Sequence, residues 1–221
     1  MAKRLNVGCG RAPSAGWLNY DNSPAVWLAK SPLLTRLLHR AGVIGAGSVE
    51  FAAFCRANRI LYANAAKRIP HAAGTVDVVY SSHMIEHLVR DDAWAFLVEC
   101  HRVLRPGGRL RLVVPDLQLL AHRYLERGDA DNFLGDMEFE TDRPAGLLAK
   151  LKWLLLGGRR HHWMYDARSL GALLVEAGFG EVETMEPGQT RIAEPGGLDL
   201  RERQINSLYL EAVRPQALTQ T

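Results

Sequence analysis

The sequence predicts an α/β fold on a parallel sheet, and three observations predict it. Short apolar runs alternate with longer stretches of helical periodicity. One run, Val76 to Tyr80, is almost unbroken in its apolar character, as strands covered on both faces are. Two glycine-rich stops, Gly8-Cys9-Gly10 and Pro106-Gly107-Gly108, punctuate the alternation.

Taken in order, the first strand runs from Arg4 to Val7 and is stopped by Gly8. The second runs from Trp17 to Tyr20 and ends at Asp21, and the third from Ile60 to Ala63. Val76 to Tyr80 is the fourth. Asp91 and Asp92 open a helix through Leu104, with Ala93, Phe96, Leu97 and Cys100 at helical spacing. Pro106-Gly107-Gly108 ends it and leads into a fifth strand, Arg109 to Val114. Asp166 caps a further helix that Gly178 terminates. Glu181 to Met185 and Ser207 to Val213 complete the strands. This is read as one domain over residues 1–214, with insertions at about 24–59 and 117–165 and a tail at 215–221. Both insertions are too long for plain loops and are expected to carry helices over a ligand crevice.

Composition narrows the function classes. The chain has 221 residues, 48% of them apolar, which excludes disorder as the main state. A net charge of +3 falls short of a dedicated nucleic-acid binder. Cys9, Cys55 and Cys100 are far apart and odd in number, so neither a disulfide framework nor a cysteine metal site is implied. No signal-peptide run or membrane-length apolar run occurs, and a cytoplasmic location is expected.

Four constellations carry chemistry. Gly8-Cys9-Gly10 ends the first strand without a Cβ at two positions, which lets a ligand approach the backbone. Asp21 ends the second strand, where an acid accepts from a ribose diol. It lies only 11 positions beyond Gly10, so a loop must replace the first crossover helix; a plain turn residue is the competing reading. Tyr80-Ser81-Ser82-His83-Met84-Ile85-Glu86-His87-Leu88 runs from a buried strand into a polar corner. His83 and His87 would share a face if that corner were helical. Its order is His-x-x-Glu-His, unlike the zinc pattern His-Glu-x-x-His, and with no third ligand apparent it is read as holding no metal. Leu104-Arg105-Pro106-Gly107-Gly108 is read as a connector.

In that order these residues resemble the class I S-adenosylmethionine-dependent methyltransferases, and the chain looks like their type 11 branch. Gly16-Trp17-Leu18-Asn19-Tyr20-Asp21 and Tyr80 to Leu88 are similar to a bacterial subgroup associated with polysaccharide gene clusters. The resemblance covers Leu5 to Asp116 strongly, and His162-Trp163-Met164-Tyr165-Asp166 to Phe179 more weakly. It implies a doubly wound, Rossmann-like sheet of seven mostly parallel strands, the last one antiparallel. S-adenosylmethionine is the implied cofactor, with S-adenosylhomocysteine as product. The implied cofactor contacts are Gly8, Cys9 and Gly10 under the methionine part, Asp21 on the ribose, Asn64 and Ala65 at the adenine, Ser81 at the methionine end, and His83 towards the methyl. Three positions depart from the family: Asn6 replaces an acid, Ala12 a glycine and Asn64 an aspartate. They keep a non-catalytic cofactor-binding partner protein in play as an alternative. A nicotinamide dehydrogenase fits less well, since Pro13 breaks its glycine pattern.

An alcohol acceptor must lose a proton as it is methylated, and histidine suits that task. His83 is the first candidate, His87 the second, and His161 with His162 the third; a core role for His87 and a solvated loop for the pair compete with this. The expected acceptor is a sugar, glycan or other small polar molecule rather than a nucleic acid. Ala25 to Arg40 and Leu147 to Arg160 combine Trp and Leu with basic charge alone. Packed helices, a lid or homodimer contact, and a peripheral patch at the inner membrane face all fit them. Asp199-Leu200-Arg201-Glu202-Arg203 is read as a charged loop that could also reach the acceptor pocket.

Overall fold

Alternation of buried side chains is what makes the strands. In Arg4–Val7 (β1), Leu5 and Val7 face one core, while Asn6 points to the other side. The computed structural model describes residues 2–137 and 161–216. The remaining strands are β2 (Leu18–Asp21), β3 (Leu61–Tyr62), β4 (Val76–Ser82), β5 (Leu104–Pro115), β6 (Gly180–Met185) and β7 (Ser207–Val213). They form one seven-stranded open sheet in the order β3-β2-β1-β4-β5-β7-β6. β1 to β5 pair in parallel, and β7 lies antiparallel to both β5 and β6. This is the doubly wound sheet, with its antiparallel last strand, that the resemblance implies.

The expected Pro-Gly-Gly stop is instead a bulge inside β5. Val76 pairs with Leu104 and Val78 with Arg109, so residues 105–108 loop out of the ladder. Gly107 takes φ +74°, and a Cβ on Gly108 would lie 2.8 Å from the Arg105 carbonyl. Backbone bonds Gly107 N to Arg214 O and Arg214 N to Gly108 O tie the bulge to the end of β7.

One face of the sheet is covered by helices. α4 (Arg90–Val103) and α7 (Ala167–Glu176) press Phe96, Leu97, Leu170 and Leu174 onto Val79, Leu110, Leu112 and Leu210. Each such side chain contributes roughly 1.5–3 kcal/mol on burial. Asp166 caps α7 through a reciprocal bond with Ser169, which holds its carboxyl below the usual range. The opposite face is covered by residues 186–206, which pack Trp17, Tyr80, Val113 and Tyr209. There Arg111 and Glu211, both fully buried, pair at 2.7 Å. The Glu211 carboxylate also accepts from Thr190 Oγ1 and Arg191 N, so the charge is well enclosed by donors.

The first insertion carries helices as expected: α1 (Pro24–Leu28), α2 (Pro32–Arg40) and α3 (Ala46–Ala57). Cys9, Val26, Phe51, Ala52 and Cys55 join them in a second core. The second insertion carries α5 (Leu117–Arg127) and α6 (Ala130–Asp136). The basic Leu147 to Arg160 run lies outside the described residues, as does the tail from 217. Among the described residues no helix is long and apolar enough to cross a membrane.

Candidate active site

Strand order creates the crevice. β1 leads to β2 on one side and β4 to β5 on the other, so the chain diverges between the carboxyl ends of β1 and β4. Gly8 leaves β1 at φ +72°, and its amide and that of Cys9 donate to Tyr20 O at 2.8 and 3.0 Å. A Cβ on Gly8 would lie 2.4 Å from Met84 Cγ. Glycine is therefore what lets the corner after β4 rest on the end of β1. Over Gly10 (φ +51°) the space is open, with nothing among the described residues within 4 Å of where a Cβ would be.

The Asp21 carboxylate sits beside that opening, accepting from Gly10 N at 3.0 Å and Ser23 N at 2.7 Å. A carboxylate offers about four lone-pair sites, so half its capacity stays available to a ligand. The loop that replaces the first crossover helix is pegged from inside. Asn6 donates to Ala12 O at 3.0 Å and Ser14 Oγ at 3.1 Å, and Asn19 binds both Ser14 N and Ser14 O. Asn6 thus spends its amide on the loop, a task for which the usual acid has no donor. Cys9 turns its side chain into the second core, and burial first, then Asp21 and Cys55, push its thiol up to about 12. That leaves its backbone towards the crevice and excludes a thiolate nucleophile. Ala65 is buried after β3, and the partly buried Asn64 turns the chain by accepting from Lys67 N and Arg68 N through its carbonyl.

The corner after β4 is not the α-helix on which His83 and His87 would share a face. Ile85–His87 is a single 3-10 turn, and His83 precedes it in the left-handed region at φ +48°. His83 and His87 consequently do not share a helix face. His83 N donates to Val113 O, its Nε2 lies 3.0 Å from Ser207 Oγ, and its Nδ1 lies 3.2 Å from Glu86 Oε1. Glu86 is fully buried, and among the described residues neither carboxylate oxygen has a well-aligned hydrogen-bond donor. Ser81 is buried as well, with its hydroxyl unpartnered.

Residues 161–165, whose Tyr165 bridges to Asp116 after β5, close on this corner. His162 N and Trp163 N donate to Glu86 O at 2.7 and 3.2 Å. His161 is buried, its ring centroid 4.8 Å from that of His87, whereas the His162 side chain is exposed. The sequence offered His161 and His162 as one candidate; the structure brings His161 to the corner and leaves the His162 side chain exposed. His83 and His161 also line a cavity of about 460 Å³, walled by Asp199, Arg201, Arg203, Gln204 and Asn206. The charged run at 199–203 therefore reaches this pocket. Its Glu202 accepts from Tyr80 Oη at 2.7 Å and, after burial, adds to the rise of that phenol.

Sequence reasoning missed Glu86 as a functional group and Ser207 altogether. The His-x-x-Glu-His spacing pointed to Glu86, but burial without a donor is a tertiary property. Ser207 meets His83 across 124 positions, a pairing that no local pattern announces.

Residues 5–112 match the family model described as a methyltransferase domain. Solved structures sharing the fold include a SAM-dependent methyltransferase from Methanosarcina mazei, at 16% identity and TM-score 0.50, covering 97% of this chain and 93% of that one. A chain from the complex between the Haloferax volcanii Trm112 methyltransferase activator and its methyltransferase matches at 15% identity and TM-score 0.50, covering 97% and 83%. Haemonchus contortus phosphoethanolamine N-methyltransferase 2, solved with S-adenosyl-L-methionine, matches at 13% and 0.50, covering 98% of this chain but 49% of its own. No curated protein sequence matches the chain.

Proposed function

We infer that this chain, which carries a methyltransferase domain over residues 5–112 on a class I fold, is an enzyme that uses S-adenosylmethionine, and we propose that it methylates an oxygen of a sugar, glycan or other small polar acceptor. One observation carries the reading: a half-used carboxylate, Asp21, beside an open glycine turn at the point where the sheet diverges. When bound, the cofactor supplies a methyl group already activated by a positively charged sulfur. The chain's task is then mainly alignment. Asp21 receives the ribose hydroxyls, Gly8 to Gly10 present backbone to the methionine part, and Asn64 and Ala65 meet the adenine. Ser81 stands at the methionine end.

The acceptor occupies the cavity beside His83. Its wall of Asp199, Arg201, Gln204 and Asn206 offers donors and acceptors, which suit hydroxyl groups better than an apolar ring. His83 lines that space together with His161, and it is the base this reading assigns to the acceptor. The Glu86 carboxylate lies 3.2 Å from Nδ1 and Ser207 Oγ 3.0 Å from Nε2; for Nε2 to take the acceptor's proton, Ser207 must turn its own hydrogen away from the Arg203 carbonyl, to which it now donates. His87 and His162 lie farther from the cavity wall and are second to it. A cytoplasmic location is part of this reading, and the exposed Leu33, Leu34 and Leu37 on α2, the helix that also carries Arg36 and Arg40, support contact with the inner membrane face.

Calorimetric titration with S-adenosylhomocysteine tests the cofactor half, and label transfer to a panel of hydroxylated acceptors tests the other. Binding of one nucleoside per chain with transfer to an acceptor is expected. A protein that gives no heat with the nucleoside refutes the reading, and one that binds it but methylates nothing is a binding partner rather than an enzyme.

A further inference from the structure

We propose that Glu86, His87 and His161 form a binding site for one divalent transition-metal ion at the edge of the acceptor cavity. One potential ligand atom from each lies within 4.8 Å of the other two. A tetrahedral ion with bonds of about 2.0–2.1 Å holds its ligands about 3.3 Å apart. The three groups thus need to close by about 1.5 Å at most, a side-chain movement rather than a backbone one. The third ligand that the His-x-x-Glu-His pattern lacks is supplied from 74 positions beyond His87, where His162 N and Trp163 N dock His161 onto the Glu86 carbonyl.

A second observation points to a ligand independently. Glu86 is wholly buried, with no aligned donor on either oxygen. An ionised carboxylate in such a place is costly unless a cation meets it. His83 Nδ1 faces one oxygen at 3.2 Å, which leaves the other for the ion. Two imidazoles and one carboxylate suit zinc, cobalt, iron or manganese, whereas calcium and magnesium prefer all-oxygen shells. His161 also lines the cavity, so a coordination position left open there would face an acceptor's oxygen atoms. That last step rests on the methyl-transfer reading; the ion site itself does not.

The test uses the full chain, stripped with a chelator and titrated with Co²⁺ while its visible absorption is followed. One equivalent is expected, displaced by Zn²⁺, with a thermal midpoint raised by each ion. Glu86→Gln keeps the shape of the side chain and removes its charge; it and His161→Gln should each weaken Co²⁺ binding at least tenfold. His39→Gln, on the exposed end of α2, should leave it unchanged. No absorption change at millimolar Co²⁺, or binding that survives both ligand variants, overturns the site. Nucleoside binding by the metal-free protein is read separately, so failure here is distinguishable from failure of the methyltransferase assignment.

Discussion

The two ends of the crevice are built on opposite terms. At the glycine corner nearly every polar group is spent within the chain: Asn6, Ser14 and Asn19 bond one another's loop, and Asp21 holds two backbone amides. At the histidine corner Glu86 and Ser81 are buried with oxygens that lack aligned donors, and His83 is held in a left-handed conformation. Each unmet group costs about 1–3 kcal/mol, and a left-handed non-glycine residue costs a similar amount. A fold keeps such costs where something other than stability is served. On the proposed reading the first corner receives the nucleoside and the second is completed by the acceptor or an ion.

The largest effect that would break this contrast lies at the second corner. His83→Ala should lower kcat by roughly 10²–10⁴ while leaving nucleoside affinity nearly intact. Stability should fall, because alanine at φ +48° relieves no backbone strain and the buried Glu86 loses the imidazole that faces it. Steady-state kinetics beside calorimetry reads both quantities. Undiminished turnover would move His83 out of the reaction. A parallel loss of nucleoside binding would instead merge the two corners into one unit.

The glycine corner tests the converse. Asp21→Ala should weaken S-adenosylhomocysteine by about 1.5–3 kcal/mol, the range for hydrogen bonds to a charged group. Its kcat at saturating cofactor should change far less than in His83→Ala. Unaltered affinity in calorimetry contradicts the ribose assignment.

The same contrast explains what could be read in advance. The glycine corner was legible because its signals are local: Gly8, Gly10 and Asp21 follow strand ends within a few residues, and the 11-position spacing already implied a missing helix. β1 and β7 fell where apolar alternation put them, since the sheet buries both faces. The bulge in β5 was not legible, because Pro106-Gly107-Gly108 breaks a ladder locally while Arg214, over a hundred positions away, restores it. The histidine corner was half legible. Its residues were named from sequence, but which of His161 and His162 turns inward depends on how that segment docks on the Glu86 carbonyl, and Ser207 arrives from the last strand.

The smallest expected effect concerns the floor beneath the glycine corner. Tyr20, whose carbonyl receives Gly8 N and Cys9 N, directs its hydroxyl to His71 Nε2 at 3.0 Å. Burial, then Lys3 and Arg102, holds the His71 pKa below the ordinary histidine value. His101 is lowered in the same way, by burial and then Arg214. The unfolded chain therefore binds protons before the folded one as pH falls below about 6.5. Stability from these groups is fully present above that pH and is lost on acidification, with a slope of at most about 1.4 kcal/mol per pH unit for each proton. Protonation of His71 Nε2 also removes the acceptor for Tyr20 Oη. Thermal midpoints measured between pH 7.5 and 5.5 should fall, and His71→Gln, which keeps a polar side chain without titrating, should flatten that fall. An equal decline in the variant would place the acid sensitivity elsewhere and leave the support beneath Tyr20 indifferent to the charge of His71.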